Sequence, residues 1–154
     1  MTSCDTNILF VALETSRPGH EKARQVLEGY KDDAEFALCE LSLLELYVLL
    51  RNPAIARRPL DAAEAVALVQ TLRSNPRWDV LDYPGRAAGI MEELWRWAKA
   101  PDFARRRVFD VRLALALRHY GVTAFATTNV KDFEGFGFER LWNPLELESS
   151  SHGL

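Results

Sequence analysis

The side chains best suited to chemistry in this 154-residue chain are carboxylates. Asp5 follows a short apolar N-terminal stretch, Glu45 stands inside an apolar run, and Asp110 comes early in another apolar segment. Carboxylates gathered at one place repel each other and resist shared ionisation unless a cation neutralises them. Oxygen ligands suit hard Mg²⁺ or Mn²⁺, and such cations commonly organise phosphate chemistry. The three acids are candidate metal ligands if the fold brings them together.

Each acid also has a purely local interpretation. Asp5 has the position of a turn residue that accepts a hydrogen bond from the backbone two residues on. Ser42 and Glu45 have the spacing of a capping box, in which the glutamate reaches back to the Ser42 backbone N–H. Asp110 near a helix N-terminus is stabilised by the helix dipole, and Asp132, just past a predicted strand, suits a turn. None of these acids is informative alone.

The sequence lacks the residue patterns that several other kinds of active or metal-binding site require. Cys4 and Cys39 form no C-x-x-C motif, which argues against structural zinc and predicts buried, reduced thiols. No two of the three histidines share a helix turn, which excludes H-E-x-x-H metalloprotease chemistry. The chain also has no glycine-rich phosphate loop and no G-x-S-x-G nucleophile elbow. Carboxylates remain as the candidate catalytic or metal-binding groups.

Alternating strand and helix patterns predict the framework that positions these acids. The N-terminus predicts a strand, a polar turn and a short helix or extended run, and further strands are predicted over 35–41, 78–83, 122–128 and 138–145. Helices are predicted over 18–30, 42–51, 60–75, 84–99 and 108–120. This alternation is typical of an α/β fold, a three-layer α/β/α sandwich with a mainly parallel sheet.

Sites in such sheets lie outside the carboxyl ends of the strands. Asp5 and the loop 129–132 are expected at that edge because each follows a predicted strand. Glu45 and Asp110 are expected in the first turns of helices that start from the same edge. The topology therefore predicts that the acids lie close together.

Composition and charge narrow the class of protein. Hydrophobic residues make up 48% and charged residues 27%, which is typical of one folded domain, expected over 1–147, with a flexible tail over 148–154. The net charge of −3 excludes a nucleic-acid binder held by bulk positive charge, although not a locally basic groove. No apolar run approaches the ~20 residues of a membrane span, and no signal peptide is evident, so we expect a cytosolic protein.

Four short motifs carry a family resemblance. They are Asp5-Thr6-Asn7-Ile8-Leu9, Leu43-Leu44-Glu45-Leu46, Val108-Phe109-Asp110 before an Ala/Leu-rich helix, and Thr127-x-Asn129 before Asp132-Phe133. In this order, they resemble the PIN-domain family and, within it, the VapC-type toxins of bacterial toxin–antitoxin pairs. The resemblance covers residues 3–146. It implies a parallel sheet between helical layers and Mg²⁺- or Mn²⁺-dependent endoribonuclease activity.

By resemblance, Asp5, Glu45 and Asp110 are the catalytic metal ligands, and Thr6 offers a hydroxyl beside them. Many relatives place an Asp two residues after the Thr that ends the fourth strand, where this chain has Asn129. Asn keeps an oxygen ligand but removes a negative charge, which weakens a second cation more than the first. Asp132 supplies that charge if the loop folds back, so either residue is a candidate for the fourth ligand.

Basic and apolar surfaces predict partners. Three arginines directly precede the Asp110 helix and are candidates for RNA phosphate contacts or a solvated connector: Arg105, Arg106 and Arg107. A second basic cluster, with Arg51, Arg57 and Arg58, suits plain surface. Segments 42–51 and 60–75 carry more apolar surface than one sheet can cover, including Leu44, Tyr47 and Leu50. This excess predicts a two-fold homodimer, and the resemblance implies an antitoxin partner.

Other classes of protein remain open at this point. A phosphatase of the haloacid-dehalogenase type usually has D-x-D after its first strand, whereas Asn7 stands here at the third position. A PIN-like module that binds RNA or a partner without cutting it is favoured by Asn129. A nuclease that acts on DNA or flap structures is a further alternative. Cleavage of RNA that EDTA abolishes distinguishes the toxin-like enzyme from the others.

Overall fold

The computed structural model describes residues 1–146, and strands alternate with helices along them. The strands are β1 Thr2–Cys4, β2 Phe36–Cys39, β3 Asp79–Leu81, β4 Ala124–Ala126 and β5 Arg140–Trp142. The helices are α1 Thr6–Leu13, α2 His20–Tyr30, α3 Glu40–Arg51, α4 Ala62–Arg73, α5 Ile90–Ala98 and α6 Arg107–His119. Two short 3₁₀ helices cover Arg86–Ala88 and Val130–Phe133. The predicted tail over 148–154 lies outside the described residues.

The five strands form one parallel sheet in the order β3-β2-β1-β4-β5. β1 is central, with Ser3 in register with Ala37 of β2 and Phe125 of β4. After β1 the chain adds β2 and β3 on one side, then crosses to add β4 and β5 on the other. Such a reversal of strand order opens a crevice at the carboxyl end of the central strand. The predicted parallel sheet is confirmed, and it places a crevice where β1 ends at Asp5.

Helices cover both faces of the sheet, which confirms the predicted three-layer sandwich. Alternate residues of β2 point to opposite faces, as the two-residue period of a strand requires. Phe36 and Leu38 join one hydrophobic core with residues of α1 to α4, whereas Ala37 and Cys39 join a second core with residues of α5 and α6. Cys4 and Cys39 are buried free thiols, as predicted, and burial raises the pKa of both.

Two N-terminal helix boundaries differ from the predictions. The residues after β1 form no free-standing turn, because Asp5 caps a helix that begins at Thr6. Helix α3 begins at Glu40 directly after β2, with Cys39 at its N-cap position, rather than at Ser42. Ser42 therefore lies inside the first turns of α3, and its buried hydroxyl has no hydrogen-bond partner among residues 1–146. The predicted capping box between Ser42 and Glu45 is wrong, because helical residues at both positions leave no N-cap to serve.

The long helix predicted over 84–99 is shorter, and one apolar residue is more buried than predicted. Gly89 has a left-handed φ of +69°, which L-residues other than glycine rarely adopt, and α5 begins only after it. Leu50, predicted to add to exposed apolar surface, is 4% exposed and packs in the first core. Leu44 on the same helix is 65% exposed, and Tyr47 is half-buried. No helix among residues 1–146 combines the length and the apolar character that crossing a membrane requires.

Candidate metal centre at the carboxyl edge of the sheet

An open cavity of about 410 Å³ lies at the carboxyl end of β1. Three predicted metal ligands, Asp5, Glu45 and Asp110, line it, although they are far apart in sequence: Asp5 is the N-cap of α1, and the other two lie on α3 and α6. The remaining lining comprises Thr6, Asn7, Leu44, Val48, Leu49, Arg106 and Asn129. We call this the acid cavity. The fold thus brings the three acids to one edge of the sheet, where the topology predicts a site.

Asp5 is held in place by hydrogen bonds to both carboxylate oxygens. Its Oδ1 accepts from the Thr6 backbone N–H at 2.8 Å, which caps α1. Its Oδ2 accepts from the Thr127 hydroxyl at 2.7 Å and from the Asn7 side-chain amide at 3.1 Å. Only 8% of Asp5 is exposed, so the carboxylate presents a small, fixed surface to the cavity.

Glu45 lies in the second turn of α3 and is oriented by a neighbouring helix. The Thr6 hydroxyl donates to Glu45 Oε2 at 2.9 Å, which links the N-terminus of α1 to α3. This bond replaces the predicted capping interaction. Thr6, predicted to offer a hydroxyl beside the site, therefore contacts one of the predicted ligands and fixes its side chain.

Asp110 lies half-buried in the first turn of α6. No hydrogen bond to its carboxylate and no ion pair within 4 Å occurs among residues 1–146. Asp5 and Glu45 also lack an ion pair within that part of the chain. An ionised carboxylate that is partly buried without a counter-charge is costly, so the acid cavity is short of positive charge.

The pKa values of two acids reflect this shortage. The pKa of Asp5 is raised to about 6, chiefly by burial, and the charges of Glu45 and Asp110 add to this rise while the hydrogen bonds from Thr127 and Thr6 oppose it. Burial also raises the pKa of Asp110 to about 6, with Asp132 and Glu45 adding to the effect and Arg107 opposing it. A cation in the cavity would favour the ionised forms of both groups.

The donor set fits a hydrated hard cation better than a closed metal cage. Within residues 1–146, no three His, Cys, Asp or Glu side chains converge on a single point that would hold a metal ion. Mg²⁺, however, usually keeps several waters, so protein carboxylates around it need not converge as closely as in an all-protein cage. The acid cavity offers oxygen donors, uncompensated negative charge and open volume, which together fit such an ion.

The two candidates for the fourth ligand occupy different positions. Asn129 lines the acid cavity, and its backbone N–H donates to the Thr127 hydroxyl at 3.0 Å. Asp132 lies in the following 3₁₀ helix and lines a neighbouring cleft with Lys131 and Glu146, and Asn129 lines both this cleft and the acid cavity. Asp132 still raises the pKa of Asp110, so its charge acts on the site from outside the cavity lining.

The three arginines predicted to contact phosphates have different surroundings. Arg106 lines the acid cavity, whereas Arg105 is exposed outside that lining. The Arg107 guanidinium lies over the rings of Trp97 and Phe103, at 5.7 and 5.8 Å from their centroids. Arg107 is therefore engaged in cation–π contacts that fasten the start of α6.

Two polar residues of the site were not among the predicted site residues. Thr127 is fully buried at the end of β4, and Asn7 lies two residues after Asp5. Both donate to Asp5 Oδ2, and Asn7 Nδ2 also lies 3.4 Å from Thr127 Oγ1. The available signal was their place within the same short motifs as Asp5 and Asn129.

Solved structures of the same fold include several toxins and their complexes. The Mycobacterium tuberculosis VapC20, described as a Sarcin-Ricin loop cleaving toxin, superposes with a TM-score of 0.65 at 17% identity over 90% of this chain and 96% of that chain. FitAcB from Neisseria gonorrhoeae gives 0.62 at 20% identity over 96% of this chain and 100% of that one. DNA-bound VapBC from Salmonella typhimurium gives 0.60 at 20% identity over 93% and 97%. These likenesses establish the fold.

Sequence comparison establishes the family. The PIN domain model matches residues 3–138, which includes all three acids of the cavity. The chain is 48% identical over 145 residues to Ribonuclease VapC24 of Mycobacterium tuberculosis strain H37Rv, covering 94% of this chain and 97% of that protein. The chain therefore belongs to the PIN-domain family, in the group that includes the VapC ribonucleases.

Proposed function

We propose that this protein is a divalent-cation-dependent endoribonuclease and the toxin of a toxin–antitoxin pair, acting on RNA in the cytosol. The observation that carries this proposal is the acid cavity, where three carboxylates without ion-pair partners among residues 1–146 meet at the topological switch point of a parallel sheet. The 48% identity to Ribonuclease VapC24 supports RNA as the substrate. The VapBC complexes of the same fold support an antitoxin partner.

In this proposal Asp5, Glu45 and Asp110 hold Mg²⁺ or Mn²⁺, and Asn129 is a neutral oxygen donor. A divalent cation bound there supplies an activated water and stabilises negative charge on the phosphate. Asp132 adds negative potential from outside the cavity lining.

The chain's own residues then orient the ligands and the substrate. Thr6 holds the Glu45 carboxylate, and Thr127 and Asn7 hold the Asp5 carboxylate. The guanidinium of Arg106 lines the same cavity and is suited to a phosphate of the RNA backbone.

We also propose a two-fold homodimer. Helices α3 and α4 leave apolar side chains exposed on their outer surfaces, namely Leu44, Val48 and Val66. Exposed apolar side chains grouped on two neighbouring helices often mark a protein contact. Self-association through α3 and α4 would cover them. Because Leu44 and Val48 also line the acid cavity, the contact would border that cavity on the side of α3 and leave the side of α6 open to RNA.

One observation favours a second candidate, a PIN-like module that binds RNA or a partner without cutting. Asn129 supplies no charge where the acid cavity would otherwise have a fourth acid. A cation held by three acids alone is less strongly bound, and cleavage is correspondingly weaker. The two candidates differ in whether RNA is cut, so one assay separates them.

The test is cleavage of a structured RNA by the purified protein with Mg²⁺ or Mn²⁺, and with EDTA as the control. Asp5→Asn, Glu45→Gln and Asp110→Asn are expected to lose cleavage while remaining folded. Glu21→Gln, a matched change of an exposed acid on α2, is expected to keep it. Undiminished cleavage in EDTA, or cleavage by Asp5→Asn at the parent rate, would contradict the proposed metal site. RNA that binds but stays intact under every condition supports the non-cleaving module.

A further inference from the structure

Two clefts flank the acid cavity, and their chemistry differs. The loop cleft includes Asp132, Lys131 and Glu146, so acids outnumber bases there. The β3 cleft lies where β2 and β3 end and includes Tyr83, Arg112 and two acids, Glu40 and Asp82. It shares Leu44 with the acid cavity, and the loop cleft shares Asn129 with it, so both clefts adjoin that cavity. A polyanion that leaves the acid cavity meets less repulsion on the side of the β3 cleft, because Glu40 there is ion-paired with Arg73.

The acids of the β3 cleft are partly compensated. Glu40 is ion-paired with Arg73 at 2.6 Å. The negative charge of Asp82 also helps to raise the pKa of Arg73, so both acids interact favourably with that guanidinium. The Arg112 guanidinium lies over the Tyr83 ring, 4.1 Å from its centroid, and both residues line the cleft. At about 80 Å³ the cleft is too small to bury a whole nucleotide, so a base there must rest on the neighbouring surface.

Phe109 offers such a surface next to the two cavities, although it lines neither of them. It is 55% exposed on α6, three residues after Arg106 and three before Arg112. Residues at these separations are neighbours on one side of a helix, so the ring lies between a guanidinium of the acid cavity and one of the β3 cleft. The core-facing side of α6 is already filled by Val111, Leu113 and Leu117. The exposed ring of Phe109 is therefore free to contact a ligand beside the acid cavity.

We propose that single-stranded RNA leaves the acid cavity across α6 toward β3, with a base stacked on Phe109 and phosphates held by Arg106 and Arg112. The proposal rests on the proposed function, and it names the path of the substrate beside the scissile bond. Base–aromatic stacking changes affinity roughly 5- to 150-fold per base and tolerates any base, because every base has a π face. Phe109 is then a positioning residue for the RNA and does not select its base sequence.

The first experiment measures RNA binding without cleavage. In the Asp5→Asn background, a fluorescein-labelled single-stranded oligoribonucleotide is titrated and followed by anisotropy. Adding Phe109→Ala is expected to weaken binding about 10-fold, and Phe109→Trp is expected to restore it. Trp95→Ala is the matched control, since Trp95 is an equally exposed aromatic residue, at 54%, that lies on α5 rather than between Arg106 and Arg112 on α6. Equal affinity of the Phe109→Ala and Trp95→Ala variants would overturn the proposal.

The second experiment uses the otherwise unmodified chain and separates this proposal from the proposed function. Phe109→Ala is expected to raise KM for RNA about 10-fold and to leave kcat within about two-fold. Light scattering must give the same oligomeric state for this variant and the parent. A changed state with unchanged RNA affinity assigns Phe109 to a contact between chains and overturns the RNA path. If the parent cuts RNA and Phe109→Ala cuts it with the same KM, only the path fails, whereas a parent that binds but never cuts refutes the endoribonuclease alone.

Discussion

Replacing Asp5 by asparagine should stabilise the metal-free protein. A pKa raised from the ordinary 3.8 to about 6 costs about 3 kcal/mol of unfolding free energy at pH 7, at ~1.4 kcal/mol per pH unit. The side-chain amide in the Asp5→Asn variant would keep an acceptor for the Thr6 N–H but would lose the one that Asn7 and Thr127 share, which offsets about 1–2 kcal/mol. The expected net gain is about 1–2 kcal/mol in EDTA.

The sign of the effect fixes its pH dependence. Because the folded state holds the Asp5 proton to higher pH than the unfolded chain, the cost is absent below about pH 4 and develops as the pH rises. It reaches its full value above about pH 6. The stability difference between Asp5→Asn and the parent should follow the same course. Excess Mg²⁺ should stabilise the parent and narrow the difference, since a ligand that binds the folded state alone stabilises that state.

Urea denaturation between pH 4 and 8, in EDTA and in Mg²⁺, measures these differences. Glu21→Gln on the exposed face of α2 is the control and is expected to leave stability close to that of the parent across this pH range. An Asp5→Asn variant less stable than the parent at pH 7 in EDTA would refute the reasoning. So would a gain that does not vary with pH.

Three further predictions test the remaining parts of the account. Glu45→Gln should abolish most cleavage in a nuclease assay. Ser42→Ala should change the free energy of unfolding in a urea titration by less than about 1 kcal/mol, because no capping box exists to be lost. Asn129→Asp should lower the Mg²⁺ concentration for half-maximal cleavage, and Asp132→Asn should alter it much less; a larger effect of Asp132→Asn would reverse the assignment of the fourth ligand. Leu44→Glu should shift the homodimer toward monomer in light scattering at tens of micromolar, and an unchanged mass would place the interface elsewhere.

The sequence predicts the layers of this fold well because they depend on periodicity. The alternation of strands and helices is enough to predict a parallel sheet with helices on both faces. The ends of helices depend on single residues and are harder to predict from the sequence. Helix α5 begins only at Ile90, because the left-handed Gly89 separates it from the preceding 3₁₀ turn. Leu50 is buried by tertiary contacts that no local pattern contains.

The acids of the site were predictable from the sequence, whereas the hydrogen bonds that hold their side chains in place were not. Asp5, Glu45 and Asp110 could be named from residue type, spacing and family resemblance. The hydrogen bond from Thr6 to Glu45 joins residues 39 positions apart, and the bond from Thr127 to Asp5 joins residues 122 positions apart. Such contacts follow from strand order, so they become visible only once β1 is placed between β2 and β4.

Binding of Mn²⁺ tests the central claim most directly, because it measures the metal site without depending on the RNA chosen. Electron paramagnetic resonance of free Mn²⁺ would be recorded during titration of the parent, of Glu21→Gln, and of Asp5→Asn, Glu45→Gln and Asp110→Asn. The account predicts that the parent and Glu21→Gln bind the ion and that each of the three acid variants binds it at least about 10-fold more weakly, since each removes a charged ligand. Undiminished Mn²⁺ binding in all three acid variants would contradict it.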